Sequence, residues 1–171
     1  MNFVAHTSEM NAQRVLSAVP SHDPALQRIL EFVRAHFGTA AALISVLDAE
    51  RQTVLASDGL DLGEVGLAES FCRHTLGEPK ALVVRDARLD QRFRNNRLLE
   101  FPWRVRFYAG VPLAFDGKNP CGTLCVLDHQ PRSFSIGDKA ELAMLGDFTI
   151  GVAVARVLKL PEPDLAPAFS M

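Results

Sequence analysis

Seven arginines stand between residues 85 and 106 (Arg85, Arg88, Arg92, Arg94, Arg97, Arg104 and Arg106) against three acids, Asp86, Asp90 and Glu100. A guanidinium offers a planar fork of donors that matches carboxylate or phosphate, so a loop of this composition has the chemistry to hold a small anion. The same residues have a plainer use: Asp86 and Asp90 can fold back on Arg88, Arg92 or Arg94 and brace the loop while the remaining charges stay solvated. Nucleic acid is the weakest candidate, because only Phe93, Phe101 and Trp103 interleave with the arginines and the chain carries a net charge of −2.

Thiols are the second source of chemistry. Three cysteines, an odd number, argue against a disulfide framework and fit a reducing compartment. Cys121 and Cys125 are four apart on a predicted strand and are expected to point the same way as Thr123, where a thiol serves as a redox sensor, a soft metal ligand or simply a small hydrophobe. Cys72 and His74 are two apart on a short predicted helix, which turns them to nearly opposite sides. With only His74 and His129 nearby, neither a zinc site nor a nucleophile-base-acid triad finds enough members, so no metal or catalytic residue is assigned. His6, His22 and His36 fall in helix or linker contexts and are assigned no chemistry.

The element that must position these groups is a hairpin. Arg106 to Phe115 and Cys121 to Asp128 are each long enough for a strand, and Asp116-Gly117-Lys118-Asn119 supplies the turn, with Gly117 able to take a positive φ. If Phe115 faces Pro120, one sheet face carries Phe107, Val111, Leu113, Phe115, Gly122, Leu124 and Val126, suited to packing under helices. The other face carries Tyr108, Gly110, Pro112 and Ala114 beside Thr123, Cys125 and Leu127, a mixture that needs cover from another segment. Gly110 and Pro112 on that face also suggest a bulge or a close approach.

Ser70-Phe71-Cys72 with His74, then Val83 to Phe93, Arg106 to Leu113 and Gly122 to Ser135 occur in this order, and in that order the chain resembles the bacterial sensory branch of the GAF domain family. The likeness covers most of the span from Pro24 to Leu160. It implies an α+β, PAS-related fold: a central antiparallel sheet, terminal helices packed on one face, and a ligand-sized hollow under loops on the other. It also implies a sensing role, while leaving the ligand open. Free methionine sulfoxide reductases share this fold and work through a loop cysteine in the region that here runs from Asp86 to Arg104, where this chain has none. The Cys-His attachment pair of bilin-binding relatives is absent, the Asn-Lys-Phe-Asp-Glu set of the cyclic-nucleotide branch is not found in order, and His74 is the one candidate for a haem ligand.

The remaining elements follow from local signals. Ser8 can cap a helix from Glu9 to Val19, and Asp23-Pro24 caps a second whose face is Leu26, Ile29, Leu30, Val33 and Phe37, ended by Gly38. Strands are predicted over Ala40 to Leu47, Thr53 to Ala56 and Ala81 to Val84, a short helix over Leu67 to Leu76, and a long helix from Ile136 to about Lys159, opened by Ser135 and Asp138. The division is residues 1–23 as helix and linker, 24–160 as the domain, and 161–171 as a mobile Pro-rich tail. A length of 171 residues at 48% hydrophobic content suits a single soluble domain. The first residues lack a signal-peptide pattern and no apolar run is long enough to span a membrane, so a cytoplasmic protein without membrane or nucleic-acid partners is expected.

The resulting expectation is a non-enzymatic sensory module that binds an unidentified small molecule, an anion being one candidate, between the sheet and the 85–106 loop. Arg106, Tyr108, Gly110, Thr123, Cys125, Leu127, Phe93 and Cys72 are its ligand-binding residues, and the cofactor is unknown. No kinase, cyclase or DNA-binding segment follows within the chain, so output is expected through a homodimer of the terminal helices or a signalling partner protein. The alternatives are a small thiol oxidoreductase of the free methionine sulfoxide reductase type, using Cys72 with Cys125, and a ligand-free dimerisation scaffold whose hollow is filled by its own side chains.

Overall fold

Asp23 starts the second helix by accepting hydrogen bonds from the amides of Ala25 and Leu26, with Pro24 at the first helical position. That helix, α2 (Pro24–Phe37), ends at Gly38, whose φ of 63° closes the last turn in the left-handed region. The structure, a computed structural model, describes residues 3–62 and 65–171. The first helix, α1 (Phe3–Ala18), begins before Ser8, so the expected cap at Ser8 is not used; its buried positions Ala12 and Val15, with Val19 just past its end, keep a helical spacing.

The sheet has six antiparallel strands: β1 (Ala41–Leu47), β2 (Arg51–Asp58), β3 (Val65–Gly66), β4 (Leu82–Val84), β5 (Phe107–Leu113) and β6 (Gly122–Asp128), in the order β3-β2-β1-β6-β5-β4. The α+β architecture is the one expected. Leu113 pairs with Gly122 and Tyr108 with Leu127, which is the predicted hairpin register. Asp116 holds the turn by accepting from the amides of Lys118 and Asn119.

Alternation then sorts the strands into two cores. Ala42, Ile44, Val46, Phe107, Ala109, Val111, Leu113, Leu124 and Val126 pack under the helices. Ala41, Leu43, Leu47, Tyr108, Cys125 and Leu127 face the other way. On the helix side lies α4 (Ile136–Leu158), opened by a reciprocal capping box between Ser135 and Asp138. Arg156 of α4 grips Asp23 with two hydrogen bonds of 2.7 and 3.2 Å, tying the last helix to the start of α2.

Residues 161–171 do not stand off as a mobile tail. They fold back on the helices, burying Leu165 and Ala168 in the helix-side core and bringing Phe169 to 5.3 Å from the Phe32 ring. Glu162 bridges Arg28 and Arg156. The reason lies in α4, whose apolar residues occupy more of its circumference than one sheet can cover and so leave a strip for this segment. No helix among the described residues is long and apolar enough to cross a membrane.

Candidate functional site

The sheet face opposite the helices is covered by two pieces of chain: the short helix α3 (Phe71–Thr75) and the 85–106 connection. Ser70 caps α3 by accepting from the Arg73 amide. The connection is built from side-chain-locked turns. Asp86 accepts from the Arg88 amide, Asp90 from the Arg92 amide, and Asn96 from the Leu98 amide while donating to the Glu69 carbonyl.

Arginine in this loop does what the plainer reading expected. Asp90 binds Arg92 bidentately, and Asp86 binds Arg106 bidentately, at 2.9 and 2.7 Å, rather than Arg88. Each guanidinium holds its acid below the ordinary carboxylate range despite the partial burial that opposes this. Arg97 pairs with Glu69 and lies over Trp103. Arg106 therefore braces the loop and does not enter the hollow. It lines an outer cleft instead, together with Arg88, Arg104, Phe101 and His129.

Beneath this cover, Phe93 drops from the loop and stacks on Phe71 of α3 at 4.2 Å, and Phe71 stacks on Tyr108 of β5 at 5.3 Å. His74 is half-buried and meets the Phe93 ring edge-on. Three aromatic rings thus occupy the space predicted to be a hollow. Gly110 is what admits Tyr108: the phenol lies over its backbone, the close approach that the missing side chain suggested. The Tyr108 hydroxyl is 2.6 Å from Thr75 Oγ1 and 3.6 Å from Cys72 Sγ.

A sealed polar cluster completes the site. Gln52 donates to Ser45 at 2.9 Å and accepts from Ser70 through a short hydrogen bond, while Ser45 pairs across the sheet with Thr123. Ser45, Gln52, Ser70, Thr75 and Thr123 are all buried. Thr123 Oγ1 makes no well-formed hydrogen bond among the described residues. Sequence reasoning missed Ser45, Gln52, Ser70 and Thr75. Ser45 left a signal as the one polar residue in the apolar run Ala41–Leu47, and Ser70 as the first residue of the Ser70-Phe71-Cys72 motif.

Of the eight predicted site residues, Cys72, Phe93, Tyr108, Gly110, Thr123, Cys125 and Leu127 come together on this face, and Arg106 stays outside. The expectation that Cys121 joins Cys125 there fails. Cys121 precedes β6 and packs with the helix-side core, because the alternation begins only at Gly122. Burial pushes its thiol up to about 12.

The other two thiols share one environment. Cys72 is held below the ordinary thiol value, first by the neighbouring Cys125 thiol and then, against its burial, by the polar side chains around it, of which the Tyr108 hydroxyl lies 3.6 Å away. Cys125 is held well above the ordinary thiol value by the nearby Cys72 and by burial. All three cysteines are free and buried, and no cluster of three or more metal-ligating side chains occurs among the described residues.

Comparison with known proteins agrees with this architecture. A cyclic di-GMP phosphodiesterase of Pseudomonas aeruginosa is 41% identical over 128 residues, covering 74% of this chain and 21% of that protein. The chain therefore spans about a fifth of that relative's length. Among solved structures, the GAF domain of an Acinetobacter phosphoenolpyruvate-protein phosphotransferase superposes with a TM-score of 0.64 at 20% identity, covering 93% of this chain and 98% of that one. A type II free methionine-R-sulfoxide reductase from Thermoplasma acidophilum superposes at 0.62 with 16% identity, covering 92% and 96%. These likenesses concern the fold. The sequence model of the GAF domain matches residues 21–155, and with the sheet order, the capped terminal helices and the loop-covered face on view, the chain belongs to the GAF domain family.

Proposed function

We propose that this chain is a sensory or regulatory module that takes a small polar molecule on the face between the sheet and the 85–106 connection, with Tyr108 and α3 moving to admit it. One observation carries the reading: a group of hydrogen-bonding side chains is buried where an apolar core would suffice, and Thr123 Oγ1 among them lacks a well-formed partner. An unsatisfied buried hydroxyl costs about 1–3 kcal/mol, and a ligand that bonds it recovers that cost. Cys72, Phe93, Gly110, Cys125 and Leu127 form the remaining wall. Arg106 acts at one remove by bracing the connection, and output passes through self-association or a partner protein. The relative named above is a phosphodiesterase of which this chain matches a fifth, which supports a regulatory rather than a catalytic part for such a module.

The stacking of Phe71, Phe93 and Tyr108 favours a second reading, a scaffold whose hollow is filled by its own side chains. Native mass spectrometry of freshly purified protein separates the two. A mass excess that is lost on denaturation and is absent from Thr123→Val supports the ligand reading. A native mass equal to the denatured mass in every preparation supports the scaffold.

A further inference from the structure

We propose that the outer cleft beside the 85–106 connection is a second ligand site, one that takes a nucleoside phosphate from solvent. It is distinct from the hollow and acts whether or not the hollow admits a ligand.

The cleft has a volume of about 610 Å³, within the range of small-molecule sites. Its wall carries three guanidiniums, of Arg88, Arg104 and Arg106, and one carboxylate, of Glu100. Asp86 neutralises Arg106 through their two hydrogen bonds. Arg88 and Arg104 make no salt bridge among the described residues, so both forks are free and the wall keeps a positive balance.

Arg104 is placed by its backbone. Its φ of 50° lies in the left-handed region, which arginine seldom adopts, and strain of this kind gathers at ligand sites. Two hydrogen bonds close the turn that holds it: the Arg104 amide donates to the Glu100 carbonyl at 2.9 Å, and the Val105 amide donates to the Leu98 carbonyl at 2.8 Å. So fixed, the guanidinium lies over the Phe101 ring, 5.5 Å from its centre. Phe101 is 75% exposed and belongs to neither core, so its ring is presented to solvent rather than spent on folding.

These groups select the ligand. A guanidinium resting on one aromatic ring can be covered on its other side by a second ring, which is how arginine and aromatic side chains hold a base. A carboxylate is met edge to edge by one fork, whereas a phosphate, with three terminal oxygens, offers a separate edge to each of two. Glu100 repels the phosphate and so faces the other end of the ligand, where it accepts from sugar hydroxyls or base amino groups. His129 donates from Nδ1 to the Arg104 carbonyl at 3.3 Å, which leaves Nε2 to bond the sugar. Leu99 lines the cleft and also packs into the sheet-side core, so an occupant of the cleft touches the same connection that covers the hollow.

The test reads Trp103, the single tryptophan, which stands between Pro102 and Arg104. AMP, GMP, CMP and UMP are titrated separately into the whole chain while its emission is followed, and calorimetry gives the stoichiometry. Inorganic phosphate and adenosine probe each half of the ligand alone. At least one nucleotide is expected to bind saturably, one per chain, and about tenfold or more tighter than phosphate or adenosine, because only the whole ligand engages both the forks and the ring. Arg88→Ala, Arg104→Ala and Phe101→Ala should each weaken it about tenfold or more, the worth of a charged hydrogen bond or of one base stack. All three side chains are exposed, so an unchanged unfolding midpoint shows that the variants fold. Arg94→Ala, at an exposed arginine of the same connection outside the cleft, should leave the affinity unchanged, as should Thr123→Val in the hollow. Absence of saturable binding by all four nucleotides overturns the proposal, and so does phosphate alone binding as tightly as a nucleotide. Nucleotide binding that survives Arg88→Ala and Arg104→Ala but is lost in Thr123→Val places the nucleotide in the hollow and overturns it as well.

Discussion

The phenol of Tyr108 lies where a side chain at Gly110 would have to go: a Cβ on Gly110 falls 2.2 Å from Tyr108 Oη and 2.7 Å from Cζ. Both residues point to the same face of β5, so the larger one is accommodated by the absence of the smaller one's side chain. Gly110→Ala forces the ring off Thr75 and against the stacked Phe71, and such overpacking costs about 1–3 kcal/mol. Urea denaturation is expected to show that loss. The double variant Gly110→Ala with Tyr108→Leu is expected to be less destabilised than the sum of the two single changes, since removing the ring removes the clash. Strict additivity would show that the ring can move away freely, and with it the idea that Tyr108 seals the hollow.

A second stability test lies at the junction of α2 and α4. Asp23 is buried, caps α2 and is gripped by Arg156. Burial acts to raise its pKa, but the Arg156 hydrogen bonds and charge, with the Ala25 and Leu26 amides, outweigh that and hold it below the ordinary 3.8. A lowered folded-state value means that the unfolded chain takes up the proton first as pH falls. The contribution of Asp23 is therefore complete well above pH 3.8 and is lost as pH drops through the lower folded value. Asp23→Asn is expected to keep the cap, lose the ion pair, and remove this part of the acid sensitivity. Asp23→Ala adds the lost cap, worth about 0.5–2 kcal/mol. Parallel acid-denaturation curves for the unmutated chain and Asp23→Asn would contradict this account.

How much of this could be read from sequence depends on whether a residue's neighbours in the chain decide its place. The β5–β6 register was legible because alternation over Phe107–Leu113 and Gly122–Asp128 admits one core-facing choice, and the Asp23-Pro24 and Ser135–Asp138 helix starts are local signals. Cys121 was misplaced because it sits one residue before the strand, where the period no longer applies. Gln52 and Thr75 are unremarkable polar residues until the sheet and α3 bring them together with Ser70 around Ser45 and Thr123. The return of residues 161–171 was illegible for a similar reason. Their proline spacing describes a free segment, while the strip they cover exists only once α4 has packed.

Thiol catalysis gives a third expectation. A nucleophile that reduces a sulfoxide must bring its sulfur to the substrate sulfur, and all three cysteines here are buried under side chains. The 86–104 segment that covers Cys72 and Cys125 has no cysteine of its own. The purified chain is expected to leave free methionine sulfoxide unreduced in the presence of a thiol reductant. Turnover that vanishes in Cys72→Ser would establish the oxidoreductase alternative.

A homodimer through the terminal helices is expected to use a strip of α4 that a single chain leaves exposed. Val152 is buried within one chain and Phe148 packs against the same core, because α1 and the returning 161–171 segment cover that side of α4. What stays uncovered is another strip. Ile136, Met144 and Leu158 are 85%, 49% and 60% exposed, and positions 136, 140, 144, 147, 151, 154 and 158 recur at helical spacing along one face. Asp147 alone is charged among them. Met10 of α1 is exposed too, and α1 and α4 together border a surface groove that includes Met10 and Leu158. Two copies meeting about a two-fold axis would bury this strip against its own image, so a single substitution acts twice in the interface. We therefore expect light scattering at micromolar concentration to give twice the 18.8 kDa chain mass. Met144→Glu and Leu158→Glu should restore the single-chain mass with an unchanged unfolding midpoint, since neither side chain supports the internal core. A mass that stays at 18.8 kDa on concentration rules the dimer out. A dimer indifferent to both substitutions places the interface on some other surface.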